Sequence, residues 1–191
     1  MGKIYERITD RLRDFITGQP VFFVATAPES GGHVNVSPKG YADTFAVIDD
    51  TTVAYLDLDG SGVETIAHIR DNGRVTLMFC AFGGSPNIVR LYGTGRVVTP
   101  LDDDFDELIK LFGPHPGVRS IIVVRCGRIS DSCGFSVPFM SFDEDRTLLD
   151  EWAGRKDVQQ KRAYRSKNNR ESIDGLPALR AEETDPVARH S

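Results

Sequence analysis

The sequence predicts a mainly β fold with short helices, closed into a small barrel. Three features carry this. Six or so runs rich in valine, isoleucine and aromatic residues are bounded by glycine, asparagine, aspartate and proline, the pattern of strands between turns. The helical segments between those runs are few and short, whereas a doubly wound sheet needs a helix after every strand. A sheet of short strands is best protected by closing on itself, which removes exposed edges.

The elements follow in order. Ile4, Ile8, Leu12, Phe15 and Ile16 recur at helical spacing, so one N-terminal helix is expected to end at Gly18, ahead of Pro20. Residues 21–26 form a continuous apolar strand and 33–37 an alternating one. A strand at 45–48 turns at Asp49-Asp50 into another at 53–58. A short helix over 65–70 closes at Asn72-Gly73, a turn pair. Strands follow at 75–82 and 88–98. Acid-rich residues 100–104 open a helix that buries Phe105, Leu108, Ile109 and Phe112, and 120–129 is the last long β run. From about Asp143 the character changes, and Leu148, Leu149, Trp152 and Tyr164 mark an amphipathic helix. The expected division is a barrel over 1–142, a helical arm over 143–180 packing on the barrel or on a partner, and a fraying polar tail over 181–191.

Composition narrows the function classes. The 191 residues are 40% hydrophobic and 27% charged, with a net charge of −5, as in an ordinary globular protein. No global positive field favours nucleic acid, and no apolar run reaches the roughly 18 residues of a membrane span. The amphipathic N-terminus lacks an apolar signal core, and Glu6 stands where a myristoylation signal wants Ser or Thr. Cys80, Cys126 and Cys133 have no metal-ligand spacing, so a reduced, cytoplasmic chain is the economical expectation. His33, His68, His115 and His190 are too scattered for a zinc site.

The chemistry is concentrated in two small polar loops. Ser37-Pro38-Lys39-Gly40 follows the alternating strand, and residues 59–65, sequence DGSGVET, join the 53–58 strand to the short helix. A glycine-bearing loop that opens into a helix presents unpaired N–H groups and a positive dipole end, which is what holding a phosphate requires. A lysine at a neighbouring strand end supplies the counter-charge. Either loop alone reads as a plain turn, with Lys39 facing solvent and Thr65 a helix cap. Together they point to a phosphorylated cofactor.

VNVSPKG (34–40), AYLDLDGSGVETIAHIRDNGRVTLMFCAF (54–82) and IVRLYGTGRV (88–97) together resemble the pyridoxamine 5′-phosphate oxidase-like flavoproteins. That resemblance implies an FMN-binding split β-barrel of Greek-key type, dimeric, with FMN between the subunits. It assigns the phosphate and ribityl chain to Ser37, Lys39, Ser61, Gly62 and Thr65. It places Asn35 and Val36, with Tyr55, Leu56 and Asp57, along the flavin ring. Arg90 and residues near Phe135 would complete the site from the partner chain.

Two departures separate the chain from the founding vitamin B6 oxidase. Val63-Glu64 stands where that enzyme has an Arg-Lys pair, so Arg70 or Arg74 would have to substitute. The Arg-x-His motif that grips its substrate is missing from the end of this chain. The expectation is therefore an FMN-dependent oxidoreductase of a small organic substrate. The competing reading is a flavin, deazaflavin or haem binding or storage protein on the same barrel, with His33 or His68 as the haem ligand. Asp57 and Asp59 are read as serving loop solvation and hydrogen bonding rather than as an acid–base pair. Between Arg155 and Arg170 seven basic residues accompany one acid, Asp157, and this stretch is read as a solvated helix face rather than a nucleic-acid surface.

Overall fold

The computed structural model of the chain describes residues 2–185. In chain order it contains β1 (Ile4–Tyr5), α1 (Asp10–Thr17), β2 (Phe22–Thr26), β3 (Asn35–Lys39), β4 (Phe45–Val47), β5 (Thr52–Leu58), α2 (Glu64–Asn72), β6 (Arg74–Cys80), β7 (Ile88–Val98), α3 (Phe105–Leu108), β8 (Val118–Ser132), α4 (Leu148–Gly154) and α5 (Val158–Asn168). Single 3-10 turns lie at Ala42–Thr44, Ile109–Leu111 and Ala181–Thr184. The strands form one antiparallel sheet in the order β3-β2-β6-β7-β8-β5-β4, with β1 added to β8. It curls into the split barrel that the sequence predicts.

The curl has local causes. β8 is 15 residues long and pairs with both β5 and β7. Opposite Tyr92 and Gly93 its register skips one residue, from Arg128 to Cys126, and such a bulge bends and twists a strand. A Cβ at Gly93 would lie 2.3 Å from the Arg125 carbonyl oxygen, so the two backbones approach closely only because this residue has no side chain.

β5 is apolar from Val53 to Leu56 because both of its faces are buried there, and Asp57 beyond them is buried as well. Val53 and Tyr55 enter the main core with Phe22, Val24, Leu77, Leu91 and Ile122. Ala54 and Leu56 face a smaller core under α3, with Val98, Phe105 and Ile121. Phe22, Phe45, Tyr55 and Phe79 meet at centroid distances of 5.1–5.6 Å, within the range of favourable aromatic pairs.

The ends of the chain differ from expectation. The N-terminal helix is shorter, because the Thr9 side chain accepts a hydrogen bond from the Leu12 N–H and caps α1 at Asp10. Ile4 and Tyr5 instead pair with Ser130 and Ile129. The arm is two helices, since Asp157 and Gln160 form a capping box that starts α5 afresh. Trp152 and Tyr164 pack edge-on between them, 4.8 Å apart. Residues 181–184, expected to fray, form a turn anchored by buried Glu183 and Thr184. The rest of the expected tail, 186–191, lies outside the described residues.

Candidate functional site

The two loops singled out by sequence meet in space. Ser37 and Lys39 are half-buried positions of β3, while Val36, just before them, is 61% exposed on the other face. Lys39 thus belongs to a strand end and not to a free turn. Across from it the 59–63 loop leads into α2. A cleft of about 340 Å³ lies between, lined by Ser37, Lys39, Tyr41, Leu56, Asp57, residues 59–65, Arg119 and Leu149.

α2 begins without a side-chain cap, because Val63 occupies the cap position. Its first-turn N–H groups therefore lack intrahelical acceptors. Glu64 partly fills the gap, its Oε2 accepting from the Val63 N–H at 3.0 Å. Thr65 is not the cap. It is buried in the first turn, where its Oγ1 receives a bond from Asn35 Nδ2 at 3.2 Å. Ser37 Oγ donates to Asn35 Oδ1 at 3.1 Å, so one hydrogen-bonded chain ties β3 to α2.

Beneath the cleft lie two buried ion pairs that sequence reading missed. Asp57, 1% exposed, accepts from Arg119 Nε at 2.8 Å, Arg119 Nη2 at 3.2 Å and Ser120 Oγ at 3.2 Å. Lys39 Nζ stands 3.5 Å away. Burial opposes ionisation of Asp57, but Arg119 and Lys39 outweigh it and hold the carboxyl below its usual range. Asp59 pairs with Arg165, whose side chain is 0% exposed, at 2.7 and 3.0 Å. Both aspartates are thus hydrogen-bonded as expected, but as buried structural anchors and not as groups that solvate the loop. The basic stretch is not a uniformly solvated face either, since Lys161 and Arg165 turn inward.

The other expected site residues divide as follows. Ser61 and Gly62 are exposed on the cleft loop. The Tyr55 side chain is fully buried in the core, its Oη without a hydrogen-bond partner. Arg90, on β7, donates to Ser132 Oγ at 3.0 Å and does not line the cleft. Neither proposed substitute cation reaches it. Arg70 bonds Glu183 and the Ala178 carbonyl, and Arg74 bonds Asn72 and the Pro28 carbonyl. Arg119 is the second cation instead. Its only sequence signal is a charge at the very start of an apolar strand, which is also where an ordinary solvated residue would stand.

The remaining reactive groups lie away from this cleft. His68 is fully buried, its Nδ1 3.0 Å from Thr26 Oγ1, and His33 pairs at the surface with Asp174. Burial pushes the Cys126 thiol up to about 11, so it forms no thiolate nucleophile. Among the described residues no cluster of three His, Cys, Asp or Glu could hold a metal, and no helix is long and apolar enough to cross a membrane.

A flavin phosphate can be tested against these groups. Lys39, the Ser37, Ser61 and Thr65 hydroxyls and the uncapped start of α2 supply the donors an anion needs, and Gly60 has nothing within 4 Å of a would-be Cβ. Three carboxylates oppose an anion here: Asp57 and Asp59 are paired with Arg119 and Arg165, while Glu64 rests on the Val63 N–H at the cap of α2 as an anion would. The donor set fits a phosphate once that side chain turns aside.

Comparison with known proteins agrees with this architecture. A family profile described as pyridoxamine 5′-phosphate oxidase matches residues 8–133. A pyridoxamine 5′-phosphate oxidase family protein of Aspergillus flavus, ustO, is 39% identical over 198 residues, spanning 94% of this chain and 78% of the relative. Two crystal structures of HupZ from Group A Streptococcus superpose with TM-scores of 0.52 and 0.51, at 24% and 25% identity. They cover 65% and 64% of this chain, and 99% and 91% of the HupZ chains. The HupZ likeness is one of fold. With the profile spanning the strands that build the cleft, and a relative similar over nearly its whole length, the chain belongs to the pyridoxamine 5′-phosphate oxidase family.

Proposed function

We propose that this protein binds FMN in the cleft between β3 and α2 and acts as an oxidoreductase on a small organic substrate, working in the cytoplasm as a homodimer with the flavin at the interface. One observation carries the reading. Ser37 and Lys39, and residues 61–65, are separated by a hairpin in sequence yet line one cleft.

Within it, Lys39 neutralises the phosphate. Its present partner, Asp57, is already held by Nε and Nη2 of Arg119, so the ammonium can turn to a ligand without leaving a buried carboxylate unpaired. Ser61, Thr65 and the first N–H groups of α2 donate to the phosphate oxygens. Asn35 orients Thr65 and Ser37. Leu56 and Leu149 give the cleft apolar walls that exclude water. FMN, when bound, supplies the electron or hydride transfer, and the chain supplies binding and orientation. In a dimer, Arg90 would act on the partner's flavin.

The haem alternative loses its two ligands. His68 is sealed in the core, and neither His68 nor His33 lines the cleft. The deciding experiment is the visible spectrum of the purified protein, followed by heat release of any chromophore. Oxidised-flavin bands with FMN in the supernatant support the reading. A colourless protein that does not take up added FMN overturns it.

A further inference from the structure

Resting on that reading, we infer that Arg165 is a positioning residue. Together with Asn169, it sets the orientation of the cofactor loop, and the C-terminal helix is thereby part of the site.

The geometry starts at the loop's carbonyls. The Gly60 carbonyl accepts from Asn169 Nδ2 at 2.9 Å and lies 3.4 Å from Arg119 Nη1, which also donates to the Gly62 carbonyl at 3.0 Å. A trans peptide is planar, so its N–H points opposite to its C=O. Clamping the carbonyls of Gly60 and Gly62 onto cationic and amide donors therefore turns the N–H groups of Ser61 and Val63 to the other side. The Val63 N–H shows which side that is, because it bonds the Glu64 carboxylate, a cleft-lining anion.

The clamp is fixed from below by α5. Arg165 is fully buried and spends its guanidinium on Asp59, on the Val118 carbonyl at 2.8 Å and on the Asp185 carbonyl at 3.1 Å. The Asp59 N–H in turn donates to the Gly117 carbonyl at 2.7 Å. Arg165 thus pins the first residue of the loop to the start of β8, and Asn169, one turn further along, holds the second. A third tie comes from Ile173, whose N–H donates to Glu64 Oε1 at 3.2 Å. Bonds along 165–173 therefore reach the loop at Asp59, Gly60 and Glu64. The fork geometry of arginine is required here, because a lysine ammonium cannot chelate Asp59 while reaching Val118.

The experiment compares wild type, Arg165→Lys, Asn169→Ala and Lys39→Ala in the full chain. Amide hydrogen exchange is measured on ligand-free protein and FMN affinity by quenching of flavin fluorescence. Arg165→Lys and Asn169→Ala should speed exchange across residues 60–65 at least tenfold, leave β6 and β7 protected, and weaken FMN about tenfold. Lys39→Ala should weaken FMN without changing loop exchange. Unchanged loop exchange in both arm variants, or a loosened loop with full FMN affinity, overturns the inference. Should Arg165→Lys fail to fold, Asn169→Ala decides by the same two readouts. A wild type that binds no FMN sinks the cofactor reading, whereas loop exchange still reports whether Arg165 and Asn169 set the loop.

Discussion

Arg119 grips Asp57 with two nitrogens, Nε at 2.8 Å and Nη2 at 3.2 Å from opposite carboxylate oxygens, and both side chains are almost wholly removed from water. The pair closes the floor of the cleft and joins the end of β5 to the start of β8. Its location next to Lys39 makes it both a structural anchor and the electrostatic background of the site.

Asp57→Asn should therefore be severely destabilising. It leaves the Arg119 guanidinium buried without its counter-charge, a loss of about 3–5 kcal/mol for a buried pair. Urea unfolding of the variant against wild type measures it directly, and a shift under 1 kcal/mol would refute the argument.

Lys39→Ala should separate binding from stability. The lysine's 3.5 Å approach to Asp57 is long, and the carboxylate keeps its arginine. Melting should move little, while FMN binding weakens by roughly 1.5–3 kcal/mol, the worth of a hydrogen bond to a charged group. Titration with riboflavin, which lacks the phosphate, should show a much smaller effect.

Glu64→Gln should tighten FMN several-fold. The carboxylate sits at the start of α2, where it competes with a phosphate for the same N–H groups. Its loss from a helix N-terminus costs about 0.3–1 kcal/mol of stability. Weaker FMN binding in this variant would show that Glu64 supports the site.

Acid should release the C-terminal turn before the barrel unfolds. Burial opposes ionisation of Glu183, but bonds from Arg70 and Arg180 bring its pKa down from 4.5 to about 2. A carboxyl depressed on folding contributes stability that is fully present above its unfolded pKa and lost as pH falls through the folded value. The window is thus about pH 4.5 to 2, and the loss is on the order of 3 kcal/mol. Limited proteolysis of the 176–185 segment across that range tests it. Glu183→Gln should make cleavage there insensitive to pH.

Much of this was legible in the chain because it is local. The strand at 88–98 needs only its own β-branched run and flanking turns, and it appears with those bounds. Gly73 ends α2 in the left-handed conformation (φ 76°) because Asn-Gly there is a backbone signal. Asp49-Asp50 likewise forms the turn between β4 and β5. Periodicity does not register a cap such as Thr9, so it extends the N-terminal helix past its true start at Asp10. For the same reason it joins α4 and α5, which the Asp157 cap separates.

The sequence by itself determined the mainly β class, the succession of strands along the chain from β2 to β8 and the two polar loops that line the cleft. Those features follow from residue periodicity and turn chemistry, which act over a few positions. Only the tertiary structure decided which charges stand by them. Arg119 and Arg165 lie 62 and 106 residues from the aspartates they hold, and nothing in their neighbourhoods distinguishes them from solvated arginines. A buried charge is tolerated only where the fold brings an opposite one within bonding distance, and that juxtaposition exists only once β5, β8 and α5 have packed.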